Sequence, residues 1–294
     1  MSRHTSYRIG GPAALFVECA SVADLALTLE VLAEEGVAWT IVGKGSNLLV
    51  SDAGYDGAVI VLAGEFARVD FGGLDEDEIA ALPAAQKLHV TAGAAVPLAR
   101  LVQQAYSLGL SGLEDMAGIP GSLGGAIFMN AGTRESWIAS RIAHVTAYRP
   151  GTGLHIIYAD EIGWTYRSSN LSADEIIVEA TLVLKAANKG RIAETMQDLL
   201  DTRSKRQPLS AHSCGSVFKN PSGKSAGELI RSCGLAGASC GDAHISTLHS
   251  NFIVNDGSAR ADDVLALMRL ARDRVKESYG ISLSPEVKFL GFPF

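Results

Sequence analysis

Apolar residues recur at helical spacing over residues 23–35, 97–107, 190–206, 226–233 and 261–279, and the punctuation at their ends agrees with that reading. Ser21 is placed to cap the first of these helices and Gly36 to stop it, Pro97 opens the second, and Pro208 follows the third. Between them lie short apolar runs of strand character at 15–18, 39–42, 88–92, 145–148, 155–158, 176–184, 252–254 and 287–290. The strand–helix–strand order of residues 15–42 predicts a parallel pairing of its two strands. The second strand runs straight into the turn Gly43-Lys44-Gly45-Ser46-Asn47. Residues 71–86 are polar and turn-rich, and predict a surface hairpin or an excursion between lobes. A glycine-dense stretch occupies 112–132, and the linker at Pro208 marks a lobe boundary.

Composition narrows the class. A chain of 294 residues, 47% hydrophobic and 19% charged, has interior enough for two or three cooperating lobes. Its formal net charge of −7 argues against a broad nucleic-acid-binding surface, and no apolar run reaches the length of a bilayer span. Met1-Ser2-Arg3-His4-Thr5 has no secretory apolar segment, so the cytoplasm is the expected compartment. Cys19, Cys214, Cys233 and Cys240 form no CxxC pair. The looser set Cys233, Cys240, His244 and His249 lacks the tight ligand pairs of zinc sites, so no metal is expected.

Two glycine segments are candidates for chemistry. Ile119-Pro120-Gly121-Ser122-Leu123-Gly124-Gly125-Ala126 exposes successive backbone N–H groups and suits either a tight turn or a pyrophosphate cradle. It is neither a GxxxxGK[ST] loop nor a GxGxxG turn after the first strand, which excludes two common nucleotide folds. The Gly43 turn is a second cradle of the same kind, and Asn47 and Asn130 add amides that both donate and accept.

Thr5-Ser6-Tyr7-Arg8-Ile9-Gly10-Gly11-Pro12-Ala13, the turn from Gly43 to Asp52, and residues 118–132 together resemble the FAD-binding lobes of the UDP-N-acetylenolpyruvoylglucosamine reductase (MurB) family, and the resemblance runs essentially from end to end. It implies an α+β chain: a PCMH or vanillyl-alcohol-oxidase-type FAD-binding fold of two lobes, 1–65 and 66–203, with a C-terminal α+β substrate-binding lobe, 204–294. It implies non-covalent FAD held by Gly43, Lys44, Gly45, Ser46, Asn47, Leu48, Ile119, Pro120, Gly121, Ser122, Gly124, Gly125, Ala126, Asn130, Ala131, Gly132 and Arg167. NADPH would be the hydride donor and UDP-N-acetylglucosamine enolpyruvate the substrate, reduced to UDP-N-acetylmuramate for peptidoglycan. Neither nucleic acid nor a membrane is an expected partner.

Such a reduction leaves negative charge beside a carboxylate and then needs a proton, so it calls for a cation and a general acid. In Gly215-Ser216-Val217-Phe218-Lys219-Asn220-Pro221 the resemblance makes Ser216 the proton donor, and Lys219 and Asn220 contacts of the sugar nucleotide. On its own that serine reads better as a turn or cap residue. Tyr166-Arg167-Ser168-Ser169 matches the family's Tyr-Arg motif, with Tyr166 at the substrate and Arg167 on its carboxylate. Glu286, with Lys288 on the same strand face, is the third expected catalytic residue. No GxSxG elbow competes with this set, and His249 is expected to be structural. The stretch between Arg167 and Ser216 is filled by assigned elements, which implies the short, type II form without a tyrosine-bearing insertion. Three departures from the family pattern stand out: Thr133-Arg134-Glu135 after Gly132, His244 where glutamine is usual, and Lys44 within the flavin turn.

Overall fold

A computed structural model describes residues 1–133 and 136–293. Its strands are β1 (Ala13–Cys19), β2 (Trp39–Ile41), β3 (Leu48–Val50), β4 (Tyr55–Leu62), β5 (Val69–Asp70), β6 (Lys87–Gly93), β7 (Leu110–Ser111), β8 (Ile142–Arg149), β9 (Gly153–Tyr158), β10 (Ile176–Ala186), β11 (Ser239–Cys240), β12 (Ala243–Ile245), β13 (Ile253–Asn255) and β14 (Lys288–Leu290). Its α-helices are α1 (Val22–Glu34), α2 (Glu76–Ala80), α3 (Leu98–Ser107), α4 (Leu123–Phe128), α5 (Lys189–Arg206), α6 (Ala226–Ser232) and α7 (Ala261–Tyr279).

Packing divides these elements into two units. The larger comprises residues 16–43 and 59–202, the smaller residues 1–15, 44–58 and 203–294. β1 and β4 each pass from one unit into the other. The parallel pairing expected between β1 and β2 is corrected: the sheet order is β1-β4-β2, with β4 inserted between them. β4 escaped notice because its interior, Gly57 to Ile60, is buried on both faces and so lacks the alternation that marks a half-exposed strand.

In the larger unit the main sheet runs β5-β6-β10-β8-β9, with β7 beside β10. The long strand β10 is its spine, pairing antiparallel with β6 (Leu182 opposite Val90) and with β8 (Ala180 opposite Val145). Helix α3 contributes Leu98, Leu101, Val102 and Ala105 to the same core, the i, i+3, i+4, i+7 stripe of a one-sided helix. Each leucine so buried contributes about 1.5–3 kcal/mol. The polar stretch 71–86 forms neither a hairpin nor a bare excursion. It contains α2, one and a half turns held by a capping box in which Asp75 accepts from Glu78 N–H at 2.9 Å and Glu78 accepts from Asp75 N–H at 2.9 Å.

In the smaller unit β14 lies parallel to β3, Lys288 opposite Leu48, and β11-β12-β13 form an antiparallel ribbon. Helix α7 buries Ala261, Val264, Leu267, Met268, Ala271 and Val275. Its N-terminus is capped from a distance: Asp52, just after β3, accepts from Ala261 N–H at 3.0 Å and from Asp262 N–H at 3.3 Å. A carboxylate there satisfies two orphan donors and meets the positive end of the helix dipole. Asp52→Ala is expected to lower the unfolding free energy by about 1–2 kcal/mol, and Asp52→Asn by less, since it keeps an acceptor. Urea titration of both variants checks this; equal losses would show that the charge and not the hydrogen bonds matters.

Candidate active site

The glycine segment 121–124 is pinned to the loop between β6 and α3. Gly121 O accepts from Leu98 N–H at 3.0 Å, while Leu123 and Gly124 donate to Val96 O and Ala94 O, each at 2.9 Å. Ser122 is buried there, and Gly43 approaches it so closely that a Cβ on residue 43 would stand 2.4 Å from Ser122 Oγ. Any side chain at 43 would therefore fill the space between the two turns. In the smaller unit the remainder of the Gly43 turn rests on the N-terminal segment, with Ser6 N–H donating to Gly45 O at 3.1 Å. Among the described residues the N–H groups of Lys44, Gly45 and Ser46 make no backbone hydrogen bond, and Lys44 is exposed. Unspent N–H donors and glycine cradles are the donor set that a pyrophosphate-bearing cofactor such as FAD requires.

Arg167 sits at the tip of a tight turn in the larger unit. Thr165 and Ser168 exchange backbone hydrogen bonds at 3.0 and 3.3 Å, and between them Arg167 takes φ +56°, a conformation that a residue with a side chain occupies at a cost of about 1–3 kcal/mol. The turn is held from outside by Asn130 Nδ2, which donates to Thr165 O at 2.9 Å, and by Ser169 Oγ, which donates to Phe128 O at 2.9 Å. Tyr166 is exposed, and the guanidinium carbon of Arg167 lies 5.4 Å from the centre of its ring. Gly132 pairs with Trp137; the departure at Arg134 and Glu135 lies outside the described residues.

Ser216 and Glu286 are brought together in the smaller unit. Gly215 takes φ +80°, which turns the chain so that Ser216 pairs with Phe252. The next residue, Val217, donates to Asn251 O at 2.9 Å and accepts from Glu286 N–H at 2.8 Å, and Phe218 pairs with Pro285. Both Ser216 and Glu286 are half-buried, while Lys288 is exposed. Lys219 N–H bonds Ser284 O at 2.9 Å, and Asn220 Oδ1 accepts from Ala226 N–H at 2.9 Å at the start of α6. Arg167 belongs to the other unit.

Two asparagines missed by the sequence reading organise this region. Asn251, 1% exposed, receives Phe218 N–H on Oδ1 at 3.1 Å and donates Nδ2 to Phe218 O at 2.8 Å, a clamp on the residue two beyond Ser216. Asn255 Nδ2 donates to Tyr7 O at 2.8 Å, and its Oδ1 takes the N–H groups of Gly257 and Ala259. The signal was available: two amides four residues apart, flanking the apolar run Phe252-Ile253-Val254, have no reason to be buried unless each is fully bonded.

His249, as expected, is structural. Its Nδ1 accepts from Asn251 N–H at 3.4 Å, its ring stands edge-on to Phe252, and burial pushes its pKa down, so it stays neutral. Burial pushes the Cys214 thiol up to about 12, which keeps it protonated beside the equally buried Tyr7. Cys233 and Cys240 neighbour Ser278 and Asp263, each at 3.8 Å, and the unusual His244 pairs with Asp256 at 2.7 Å. No group of three or more His, Cys, Asp or Glu side chains suited to a metal occurs among the described residues.

Comparison with known proteins finds relatives along the whole chain. Residues 207–290 match the C-terminal domain of UDP-N-acetylenolpyruvoylglucosamine reductase, and residues 13–153 match an FAD binding domain. The reductase of Halalkalibacterium halodurans is 39% identical over 292 residues, 99% of this chain and 92% of that one. UDP-N-acetylenolpyruvoylglucosamine reductase 2 of Symbiobacterium thermophilum is 40% identical over 99% of this chain and 90% of its own. The crystal structure of UDP-N-acetylenolpyruvylglucosamine reductase from Thermus caldophilus superposes with a TM-score of 0.83 at 38% identity, covering 98% of this chain and 96% of that one.

Proposed function

The chain belongs to the UDP-N-acetylenolpyruvoylglucosamine reductase family, and from that premise we propose how its residues divide the reaction. It is an FAD-dependent oxidoreductase of the two-lobed FAD-binding fold with a C-terminal domain, and it reduces UDP-N-acetylglucosamine enolpyruvate to UDP-N-acetylmuramate for peptidoglycan synthesis. FAD, when bound, supplies the hydride, taken from NADPH and delivered to the terminal carbon of the enolpyruvyl group.

What remains for the protein is charge and a proton. Arrival of hydride leaves an electron pair on the carbon that bears the carboxylate. Arg167 holds that carboxylate through paired N–H···O bonds and stabilises the enolate, a geometry that lysine cannot reproduce. Ser216 transfers its hydroxyl proton to the same carbon and completes the saturated ether, and Glu286 stabilises the enolate from the adjoining backbone. Tyr166, Lys219 and Asn220 bind the sugar nucleotide, with Lys219 serving its diphosphate. The two glycine turns, from Gly43 to Leu48 and from Ile119 to Ala126, hold FAD together with residues 130–132.

The observation that supports this reading is the Val217–Glu286 hydrogen bond of 2.8 Å, because it sets Ser216 and Glu286 on neighbouring backbones although 70 residues separate them in the chain. Between Arg167 and Ser216 the chain is taken up chiefly by β10 and α5, which supports the type II form. No helix among the described residues is long and apolar enough to cross a membrane, and we place the enzyme in the cytoplasm.

NADPH and the sugar nucleotide use one cleft in turn. Initial-rate plots against either substrate should therefore give parallel lines, and flavin bleached anaerobically by NADPH should recolour on addition of the enolpyruvyl sugar. Converging lines with a stable ternary complex would overturn the shared cleft; bleached enzyme that stays colourless would overturn the substrate.

A further inference from the structure

Asn47 closes the Gly43 turn and Asn130 follows the end of α4, and each directs its side-chain amide at the backbone of a different loop. Asn47 Nδ2 donates to Glu286 O at 3.0 Å across 239 residues of sequence, and Asn47 O accepts from Lys288 N–H at 3.0 Å. Because Glu286 N–H goes to Val217 O, the peptides on both sides of Glu286 are held. The segment that carries Ser216 fixes one side and Asn47 fixes the other. In the larger unit Asn130 repeats the arrangement. It is 3% exposed, at φ +43°, with Nδ2 on Thr165 O at 2.9 Å and Oδ1 receiving Ala139 N–H at 3.4 Å. Thr165 opens the tight turn whose tip is Tyr166-Arg167.

We infer that Asn47 and Asn130 are positioning residues: each anchors, from a flavin-side turn, the loop that aims a substrate-side group, Glu286 for Asn47 and Arg167 for Asn130. The inference rests on the roles proposed above for Glu286 and Arg167. The chemistry suits an amide and little else. A neutral N–H donor must face each carbonyl, and for Asn130 an acceptor must at the same time face Ala139 N–H. A carboxylate of the same shape would set oxygen against oxygen. The direction of each amide follows from these partners, since the flipped form would oppose two acceptors. Backbone anchors of this kind matter because a displacement of about 1 Å at a reacting group can cost about 100-fold in rate.

Two double-mutant cycles on the FAD-loaded enzyme test this, read as the rate at which enolpyruvyl sugar reoxidises NADPH-reduced enzyme. Asn47→Ala should slow reoxidation by about 10–100-fold when Glu286 is present and by less than about twofold in a Glu286→Ala background. Asn130→Ala should behave likewise with and without Arg167→Ala. Reoxidation is read per flavin-loaded molecule, so that any FAD lost from either variant is scored apart from the anchoring. Hydrogen exchange of the same holoenzymes supplies a readout independent of turnover. Residues 284–290 should exchange faster in Asn47→Ala, and residues 164–169 in Asn130→Ala. Asn47→Asp and Asn130→Asp, which keep the shape and lose the donor, replace any alanine variant that fails to fold. Losses that multiply in the two backgrounds, or loss of FAD with normal reoxidation in the loaded fraction, would overturn the inference and make the asparagines flavin ligands only. If Glu286→Ala or Arg167→Ala alone leaves reoxidation untouched, the catalytic assignment fails instead; the exchange rates then decide the anchoring, and unchanged exchange overturns it.

Discussion

Ser216→Ala is expected to let NADPH reduce the flavin at close to the unmodified rate while reoxidation by the enolpyruvyl sugar falls by about 10²–10⁴-fold, equivalent to about 3–5 kcal/mol of barrier. The split follows from where the proton is needed. Reduction of the flavin asks nothing of Ser216, whereas the carbon beside the substrate carboxylate holds an electron pair until a proton arrives. A serine hydroxyl is a weak acid, but the carbanion beside the substrate carboxylate is a stronger base than the serine alkoxide left by the transfer, so the proton moves downhill. The variant should also fold, because the local bonds are made by backbone: Ser216 pairs with Phe252 through its peptide groups, and Val217 bonds Asn251 and Glu286 through its own. Anaerobic stopped-flow spectroscopy separates the halves. Slow reduction followed by normal reoxidation would show that Ser216 serves the nicotinamide step and that the proton comes from elsewhere.

How much of this could be read from the chain depends on the range of the interaction concerned. Helix α7 was legible to its ends, residues 261–279, because nineteen residues of consistent periodicity outweigh any local ambiguity. Helix α1 was legible because Ser21 does what an N-cap serine does, accepting from Asp24 N–H at 3.1 Å. Several short or fully buried elements were not. β3 and the antiparallel strands β11 and β12 have three residues or fewer, and α2 has five, too few for a period to emerge. For α2 the Asp75-x-x-Glu78 capping box was the one usable sign. The candidate site divides the same way. Glycine turns and the Ser216 and Arg167 motifs are local patterns, visible in a few consecutive residues. The anchoring bonds of Asn47, Asn130 and Asp52 join segments 35 to more than 200 residues apart, and an amide in a glycine turn looks the same in sequence whether it faces a phosphate or a distant carbonyl.

Arg167 stores strain at the position for which we propose a catalytic cation, so removing its side chain should separate stability from activity. At φ +56° glycine is the favoured residue, and Arg167→Gly relieves the backbone at the tip of the Thr165–Ser168 turn. The gain is offset by the extra freedom that glycine gives the unfolded chain and by loss of the side chain's own contacts, the one with Tyr166 among them, leaving the unfolding free energy within about 1 kcal/mol of the unmodified protein. Reoxidation by the enolpyruvyl sugar should nevertheless fall by about 10²–10³-fold, the usual consequence of deleting one group that stabilises developing negative charge. Arg167→Lys keeps the charge, the strain and the cation near Tyr166 but loses the planar fork, and it should fall between the two in rate with no gain in stability. Denaturant titration and single-turnover reoxidation of the three proteins test both halves together. If Arg167→Gly destabilises the chain by more than about 2 kcal/mol, or if Arg167→Lys turns over like the unmodified enzyme, then the left-handed arginine is holding the turn together and the charge on the substrate is met by another group.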